Sequence, residues 1–398
     1  MTTLYARNHE LPYTRHHIDS DDIAAVTAVL SSDWLTTGPK IEEFENCVAS
    51  YCGARYAVAV SSATAGLHAA LHGLGIGKGD LVWTSPNSFV ASANCALYCG
   101  AAIDFVDIDL RSGCISAAAL EEKLTTAALE GKLPKAIVAV HFGGLPCDLE
   151  ALAEMARAHG VAIVEDASHA LGASYQDAPV GSCRFSEATV FSFQATKSIA
   201  TGEGGMVVTN LEDVASSARL FRAHGITRDP RMMTGAGPVE PWRYEQTELG
   251  FNYLMTDMQA ALGISQMSKL DAFIDRRREL AGRYDLALER LMVERPYRAA
   301  DRSSAWHLYP IRLLGTDPEG LRHDLYDALS MQGIKSQVHY IPIHTQPFFR
   351  GLGFRLGDFP VSESHYSSEL SLPLFVDLDD ADQDRVIDVV REIVPARP

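Results

Sequence analysis

Between residues 56 and 166 the apolar positions fall into two kinds of segment, which alternate along the chain. Short runs rich in β-branched residues predict buried strands, and the longer segments between them have the composition and spacing of helices. The predicted strands span residues 56–60, 81–84, 103–106, 136–140 and 161–164, with helices at 61–71, 88–99, 116–129 and 148–159. This repetition indicates right-handed βαβ units and an α/β fold, in which a mainly parallel sheet carries helices on both faces.

The length of the chain bears on its domain organisation. A single core rarely extends over 398 residues, so two domains are expected. An amphipathic pattern from Thr256 to about Met292 predicts a long helix between them. We predict an N-terminal arm over residues 1–18, a large α/β domain over 19–255, a linking helix over 256–295 and a small C-terminal α/β domain over 296–398.

One lysine lies between two predicted strands. The apolar run 189–193 predicts a core strand, and three glycines then turn the chain into a second short strand at 206–209. Lys197 falls between these strands. Because lysine is rarely buried without a partner or a chemical use, Lys197 is either a surface residue whose amine reaches water or a nucleophile. Its position alone favours the surface residue.

Composition narrows the possible partners. The sequence has 34 Lys and Arg against 51 Asp and Glu, a net charge of −17, which argues against binding to nucleic acid or to an anionic membrane. The first ten residues lack the apolar core of a signal peptide, and no apolar run approaches membrane-spanning length. We therefore expect a cytoplasmic protein with neither a nucleic-acid nor a membrane partner.

The cysteines and histidines do not predict a metal site. The seven cysteines contain no C-x-x-C pair, and reduced thiols packed in the core are the expected state. His339 and His344 stand five residues apart in a proline-containing segment, a poor spacing for a shared metal. Hydrogen bonding to a substrate and a purely structural role both remain open for these two histidines.

Two segments at predicted strand ends have the chemistry of a binding site. Residues 61–66 place small and hydroxyl-bearing residues at a helix N-terminus, where free backbone N–H groups can hold a phosphate or where a hydroxyl can simply cap the helix. Asp166 ends a buried strand at the sheet edge where ligands bind. A carboxylate at this place can hold a metal, a ribose hydroxyl or a protonated ring nitrogen, or can cap the next turn.

Taken together, these features are complementary to one ligand, pyridoxal 5′-phosphate. This cofactor requires an amine that forms an imine with its aldehyde and an anion that keeps its pyridine nitrogen protonated. It also needs a phosphate site and an aromatic surface for its ring. The residues that match these requirements are the Ala63-Thr64 turn, Phe89, Asp166, its neighbour His169, and Lys197.

At the same residues the chain resembles the DegT/DnrJ/EryC1/StrS sugar aminotransferases, which have the fold of type I pyridoxal-phosphate enzymes. The resemblance covers roughly residues 12–395 and is carried by Glu165-Asp-Ala-Ser-His169, Ser192-Phe-Gln-Ala-Thr-Lys197, Thr201-Gly-Glu-Gly-Gly205 and Gly250-Phe-Asn-Tyr-Leu-Met-Thr-Asp257. It implies a large domain with a mainly parallel sheet, a small C-terminal domain, and a homodimer with shared active sites.

The resemblance also implies roles for individual residues. Lys197 would bond covalently to the cofactor, Asp166 would pair with the ring nitrogen, and His169 would lie near the ring hydroxyl. Phe89 would stack on the ring, and Asn252 would reach the active site of the neighbouring subunit. The implied phosphate ligands are Ala63, Thr64 and Ser192.

Three further segments resemble the branch of the family that aminates C4 of UDP-4-keto-6-deoxy-N-acetyl-altrosamine in pseudaminic acid biosynthesis. They are residues 34–39, 224–230 and 338–347. L-glutamate would be the amino donor and a UDP-linked ketosugar the acceptor. The substrate-binding residues implied are Thr36, Thr37, Gly38, His339, Tyr340 and His344, with Arg228 as the candidate for the glutamate carboxylate.

Two positions depart from the family pattern. Gln194 stands where the family commonly has histidine, and Leu254 where it commonly has arginine. Loss of a cation at position 254 is expected to weaken anion binding there or to shift it to another residue. The alternatives are an aminotransferase for a different nucleotide-linked ketosugar, a regulator that binds the cofactor without turnover, and a cysteine desulfurase, for which no mobile cysteine loop is evident.

Overall fold

A computed structural model describes residues 10–235 and 240–397. Residues 1–9 of the predicted N-terminal arm lie outside the described residues. The large part of the molecule is built on a seven-stranded sheet. Its strands, from one edge to the other, are Tyr56–Val60, Gly205–Thr209, Ala188–Ser192, Ala162–Asp166, Ala136–Val140, Leu81–Thr84 and Ala102–Phe105.

Only one strand of this sheet is reversed. Gly205–Thr209 is antiparallel to both of its neighbours, and the remaining pairs are parallel. The predicted mainly parallel α/β sheet is thus confirmed. Because the parallel strands end at one edge, the segments that follow them converge there.

Helices cover both faces of the sheet. Alternate residues of a strand point to opposite faces, so Val190 packs with Leu67 of one helix layer while Phe191 packs with Phe44 of the other. The helices of this part are Ser20–Leu30, Pro39–Cys52, Ala63–Gly73, Ala91–Tyr98, Ala117–Glu130, Leu149–Ala158 and Glu212–Phe221. Because helices cover both faces of the sheet, the strands are buried on both sides and are almost continuously apolar.

The C-terminal part has its own core and sheet. Three antiparallel strands pack with Tyr284 and Leu325 from neighbouring helices. The strands are Val293–Glu294, Tyr309–Leu313 and Glu369–Leu372, and the helices are Pro318–Met331, Pro347–Gly351, Pro360–Ser368 and Asp380–Ile393. A short three-stranded sheet is formed by Arg302–Ser303, Ser174–Tyr175 and Ala178–Pro179, and a two-stranded one by Ile226–Thr227 and Glu245–Gln246.

The single helix expected over residues 256–295 is two helices, Asp257–Met267 and Leu270–Leu288. The helical path breaks at Ser268–Lys269, where the Lys269 ammonium bonds Asp19 at 2.7 Å and the buried Asp22 at 2.8 Å. This long-range ion-pair cluster secures the break. Neither glycine nor proline marks the break, and the amphipathic pattern continues through it. The sequence alone therefore predicts a single helix.

All seven cysteines are free, and five of them are buried. No helix within residues 10–235 and 240–397 combines the length and apolar character needed to cross a membrane. Over the same residues, no group of three or more His, Cys, Asp or Glu side chains is arranged to hold a metal ion.

Two helical glycines provide a matched test of packing. A Cβ atom at Gly263 would lie 2.5 Å from Cζ of Phe44, whose ring is buried against Phe193. A Cβ atom at Gly282 would meet no atom within 4 Å. Gly263→Ala is therefore expected to destabilise the fold by about 1–3 kcal/mol through overpacking. Gly282→Ala should stabilise it by about 0.5–1 kcal/mol through reduced unfolded-state entropy.

Equilibrium unfolding in denaturant would measure both changes in free energy. Equal effects of the two substitutions would contradict the close approach of the two helices at Gly263.

Candidate active site

A cavity of about 720 Å³ opens at the edge of the sheet where the parallel strands end. Its volume lies within the range of small-molecule and cofactor sites. Its lining includes nine residues singled out from the sequence, Ala63, Thr64, Phe89, Asp166, His169, Ser192, Lys197, His339 and Tyr340. The fold therefore brings the predicted phosphate, ring and amine sites together.

The N-terminus of helix Ala63–Gly73 forms one end of the cavity. The Ser62 hydroxyl accepts a hydrogen bond from the Ala65 N–H at 3.1 Å, so it caps the helix and leaves Ala63 and Thr64 facing the cavity. A Cβ atom at Gly205 would lie 2.6 Å from the Ala63 nitrogen. Glycine at this position allows the reversed strand to pass directly beneath the helix N-terminus. The helix dipole and free N–H groups there favour an anion such as a phosphate.

Asp166 presents a buried carboxylate to the cavity, with only 6% of its surface exposed. Its Oδ2 accepts a hydrogen bond from the Ser92 hydroxyl at 2.6 Å, and its Oδ1 accepts one from the Ser168 hydroxyl at 2.6 Å. The Ser168 backbone N–H also donates to Oδ1, at 3.2 Å. Asp166 thus caps the following turn and also faces the cavity. Two hydroxyl donors fix the orientation of the carboxylate.

The turn that carries Lys197 is held by its own neighbours. The Lys197 N–H donates to the Gln194 carbonyl at 2.9 Å. The side-chain oxygen of Gln194 accepts from both the N–H and the hydroxyl of Thr196, at 3.1 and 2.7 Å. Gln194, which departs from the family pattern, therefore stabilises the turn that directs Lys197 into the cavity.

The amine of Lys197 is enclosed by the walls of the cavity. Burial disfavours the ammonium form and lowers the pKa of Lys197 to about 8, from 10.5, although the negative charges of Asp166 and Glu203 act in the opposite direction. A larger fraction of this lysine is neutral near physiological pH than for an ordinary lysine. A neutral amine is the form that attacks a carbonyl group.

His169 lies among other rings at the cavity wall. Its Nε2 is 3.3 Å from the Tyr340 hydroxyl, and its ring centroid is 4.4 Å from that of His307. Burial, and then the charge of Lys197, keep the pKa of His169 well below its usual value. The Nδ1 atom of His169 is buried and has no hydrogen-bond partner among the described residues. A ligand with a hydroxyl or a phenolate oxygen would satisfy this atom.

Some residues implied by the resemblance lie away from this cavity in the single chain. Thr37 and Gly38 line a separate cavity of about 520 Å³, where Leu254 also lies. The Thr36 carbonyl accepts from the Asp257 N–H at 2.8 Å, which holds this loop against a helix N-terminus. Asn252 is exposed, and its backbone pairs with Ala223.

The other two residues outside the cavity are Arg228 and His344. Arg228 is exposed and lies over the ring of Tyr244, 5.5 Å from its centroid. His344 is fully buried, and its Nε2 bonds Glu363 at 2.8 Å. In this structure His344 serves to hold two segments of the C-terminal part together, which is the structural role that the sequence left open.

Several residues that shape the site were not singled out from the sequence. Ser168 follows Asp166 by two residues, a spacing typical of a side chain that accepts from the turn after it. No local signal marks Ser92, which is 74 positions from Asp166 along the chain. His307 lies in the predicted C-terminal domain, where no motif or spacing in the sequence marks it.

The arrangement fits pyridoxal 5′-phosphate. The helix N-terminus at Ala63 and Thr64 would hold the phosphate, and the Asp166 carboxylate would face the ring nitrogen. The Lys197 amine would bond to the aldehyde, and the unpartnered Nδ1 of His169 would form a hydrogen bond with an oxygen substituent of the ring. The chemistry supplied by this set is transfer or removal of groups at carbon next to an amine.

Comparisons with known proteins agree with this chemistry. A family model described as the DegT/DnrJ/EryC1/StrS aminotransferase family matches residues 16–391. The spore coat polysaccharide biosynthesis protein SpsC of Bacillus subtilis is 40% identical over 391 residues, which are 98% of each chain.

Two solved structures have closely similar folds. The PMP-form of Spr1654 from Streptococcus pneumoniae has a TM-score of 0.88 and 28% identity, over 96% of this chain and 98% of that one. Helicobacter pylori PseC, an aminotransferase involved in the biosynthesis of pseudoaminic acid, has a TM-score of 0.87 and 30% identity, over 96% and 99% of the two chains.

The lowered pKa of Lys197 predicts a distinctive pH dependence. In the cofactor-free protein, labelling of Lys197 by an amine-selective reagent should be half-maximal near pH 8, because burial disfavours the ammonium. Asp166→Asn removes a negative charge that raises this pKa, so its midpoint should be lower still. Mass spectrometry of digests would measure both midpoints, with the exposed Lys132 as the internal reference. A midpoint near 10.5 would contradict the enclosure of the amine.

Proposed function

This chain belongs to the DegT/DnrJ/EryC1/StrS aminotransferase family and is a pyridoxal-phosphate-dependent sugar aminotransferase, and from this premise we propose its substrates. The proposed reaction moves the amino group of L-glutamate to C4 of a UDP-linked 4-keto-6-deoxy sugar of the N-acetyl-altrosamine type. The observation that carries the proposal is the presence of the Lys197 amine, the Asp166 carboxylate and an anion-binding helix end in one cavity.

The chain's own groups divide the chemical work. Bound pyridoxal 5′-phosphate supplies a ring that withdraws electrons from the carbon that loses a proton. Lys197 would hold the cofactor through its aldehyde, and its amine, once free, would move the proton at the reacting carbon. Its pKa of about 8 suits this role, because a general base works best when its pKa is near the working pH.

Other residues of the cavity orient the Asp166 carboxylate and are proposed to bind the ligands. Ser92 and Ser168 hold the Asp166 carboxylate, which would face the ring nitrogen and favour its protonated form by its negative charge. Ser192 lines the cavity near the helix N-terminus and is proposed as a further phosphate ligand. The part of the cavity lined by His339 and Tyr340 is proposed to receive the sugar.

The choice of sugar is supported by the similarity to PseC and by the residues 338–347 that first suggested this branch. A second candidate is a different nucleotide-linked ketosugar, since the 40% identity to SpsC relates the chain to a protein of spore coat polysaccharide biosynthesis. Product NMR after incubation with each candidate ketosugar and L-glutamate would separate the two proposals.

A homodimer is part of the proposal. Phe89, which would stack on the cofactor ring, has 61% of its surface exposed in the single chain, so one wall of the cavity is open. The exposed Leu249 and Phe251 precede Asn252 and give this loop an apolar surface of the kind that interfaces bury. Thr37, Gly38 and Arg228 would then act at the shared site. A cytoplasmic location is also proposed, because seven free thiols suit a reducing compartment.

Lys197→Ala should abolish the conversion of L-glutamate to 2-oxoglutarate, because the proton at the reacting carbon loses its base. The expected loss is at least about 10²–10⁴-fold in turnover. Lys132→Ala, at an exposed lysine, is the matched control and should keep full activity. Release of 2-oxoglutarate in single-turnover experiments measures the effect, and unchanged release by the Lys197 variant would overturn the proposal.

Hybrid dimers test the proposed role of Asn252. If Asn252 completes the partner's site, a hybrid of Lys197→Ala and Asn252→Ala subunits carries one site with both defects and one with neither. Random mixing of the two inactive variants should then restore about a quarter of the wild-type activity. Mixing followed by refolding and assay measures this, and no recovery from an otherwise dimeric mixture would exclude the shared site.

A further inference from the structure

His339 lines the cavity that holds Lys197, and a buried chain of hydrogen-bonded side chains lies behind it. Its Nδ1 is 2.9 Å from the Ser371 hydroxyl, which is 2.6 Å from Oε1 of Glu369. The backbone N–H of His339 donates to Oε2 of the same carboxyl group, at 2.6 Å. Both Ser371 and Glu369 have no exposed surface. The imidazole is therefore anchored on one side by groups that water does not reach.

The hydrogen-bonded side chains of His339, Ser371 and Glu369 permit two arrangements of their protons. A serine hydroxyl has one proton, so Ser371 can donate to Glu369 or to His339 but not to both. When Glu369 is charged, Ser371 donates to it and accepts from Nδ1–H, which leaves Nε2 of His339 as an acceptor. When Glu369 is protonated, it donates to Ser371, which donates to Nδ1 and leaves Nε2 as an N–H donor.

We propose that Glu369 and Ser371 are positioning residues that set the tautomer of His339 and so decide whether its Nε2 accepts or donates a hydrogen bond in the cavity. The group it would contact is a hydroxyl of the acceptor sugar, and this part rests on the proposed function. The chain is joined by distances of 2.6 and 2.9 Å, and His339 lines the cavity that holds Lys197.

The charge of His339 does not vary in the working range. Burial, and then the charge of Lys197, lower the pKa of His339 to about 3, so the ring is neutral and only its tautomer can change. Burial raises the pKa of Glu369 to about 8 against the opposing effects of Ser371, the His339 N–H and Arg322. The switch between the two arrangements therefore lies close to physiological pH.

Charged and titratable side chains from several elements face the hydrogen-bonded side chains of His339, Ser371 and Glu369. Arg322 acts on Glu369 from helix Pro318–Met331, while Lys197 acts on His339 across the cavity. The rings of Tyr13 and Tyr340 lie 6.0 and 4.8 Å from that of His339. His169 and His307 complete the set, and both have a pKa lowered in part by His339.

Nitrogen NMR of the holoenzyme labelled at histidine would report the tautomer directly, with His339→Gln to assign the signals. In the wild-type enzyme, Nε2 should carry the proton at about pH 6 and Nδ1 at about pH 10, on either side of the Glu369 pKa of about 8. In Glu369→Gln the amide oxygen accepts from the His339 N–H and the amide donates to Ser371. That variant should keep the proton on Nε2 throughout.

A single tautomer over this range in the wild-type enzyme, or the same transition in Glu369→Gln, would overturn the proposal. Persistence of the transition in Lys197→Ala would assign it to Glu369 rather than to the lysine. If Glu369→Gln fails to fold, Ser371→Ala gives the second test, since it interrupts the chain and should abolish the transition.

Kinetics test the part that concerns the sugar. Ser371→Ala should raise KM for the ketosugar about fivefold, the effect of one hydrogen bond. Ser368→Ala is the control, because this buried serine bonds only carbonyls of its own helix. An unchanged KM would overturn the sugar contact. An enzyme that aminates none of the ketosugars would instead refute the proposed function, while the NMR result would still decide the tautomer.

Discussion

The site depends on keeping the Asp166 carboxylate and the Lys197 amine near one another inside a cavity while the carboxylate retains partners of its own. The carboxylate of Asp166 is held by two serine hydroxyls rather than by the lysine, and its charge acts on Lys197 through space. Direct pairing would hold the amine in its charged form and occupy the carboxylate. Supporting the carboxylate from behind leaves both groups available to one ligand. The converging strand ends and the glycine beneath the helix N-terminus serve the same arrangement.

Much of this architecture could be predicted because it is encoded locally. The strand ending in Asp166 and the helix start at Ala63 are marked by short apolar runs and small residues, and parallel strands must end at one edge. The fold and the composition of the cavity followed from these signals. What could not be predicted was tertiary. Ser92 reaches Asp166 from another helix, and the chain from Glu369 to His339 joins segments about thirty residues apart. The break at Lys269 depends on Asp22, a residue far away in sequence.

The two departures from the family pattern differ in their consequences. Gln194 has a structural explanation, because its side chain accepts both polar hydrogens of Thr196 in the turn before Lys197. Leu254 lies instead in the second cavity, which is also lined by Arg219 and Arg222. Arg222 is paired with Glu45 there, whereas Arg219 donates to the Ala57 carbonyl, so the lost cation at position 254 has basic neighbours in the same cavity.

The contact of helix Ser20–Leu30 with the break after Met267 has a consequence for how the chain is made. Asp22 accepts hydrogen bonds from Ser265 and Gln266, some 240 residues later, and an ion pair from Lys269. Contacts of such separation close only after the intervening chain exists. During synthesis, this helix emerges before its partners and stays without them until residues 265–269 have been made. This segment is thus locked in place only after residues some 240 positions later have been made.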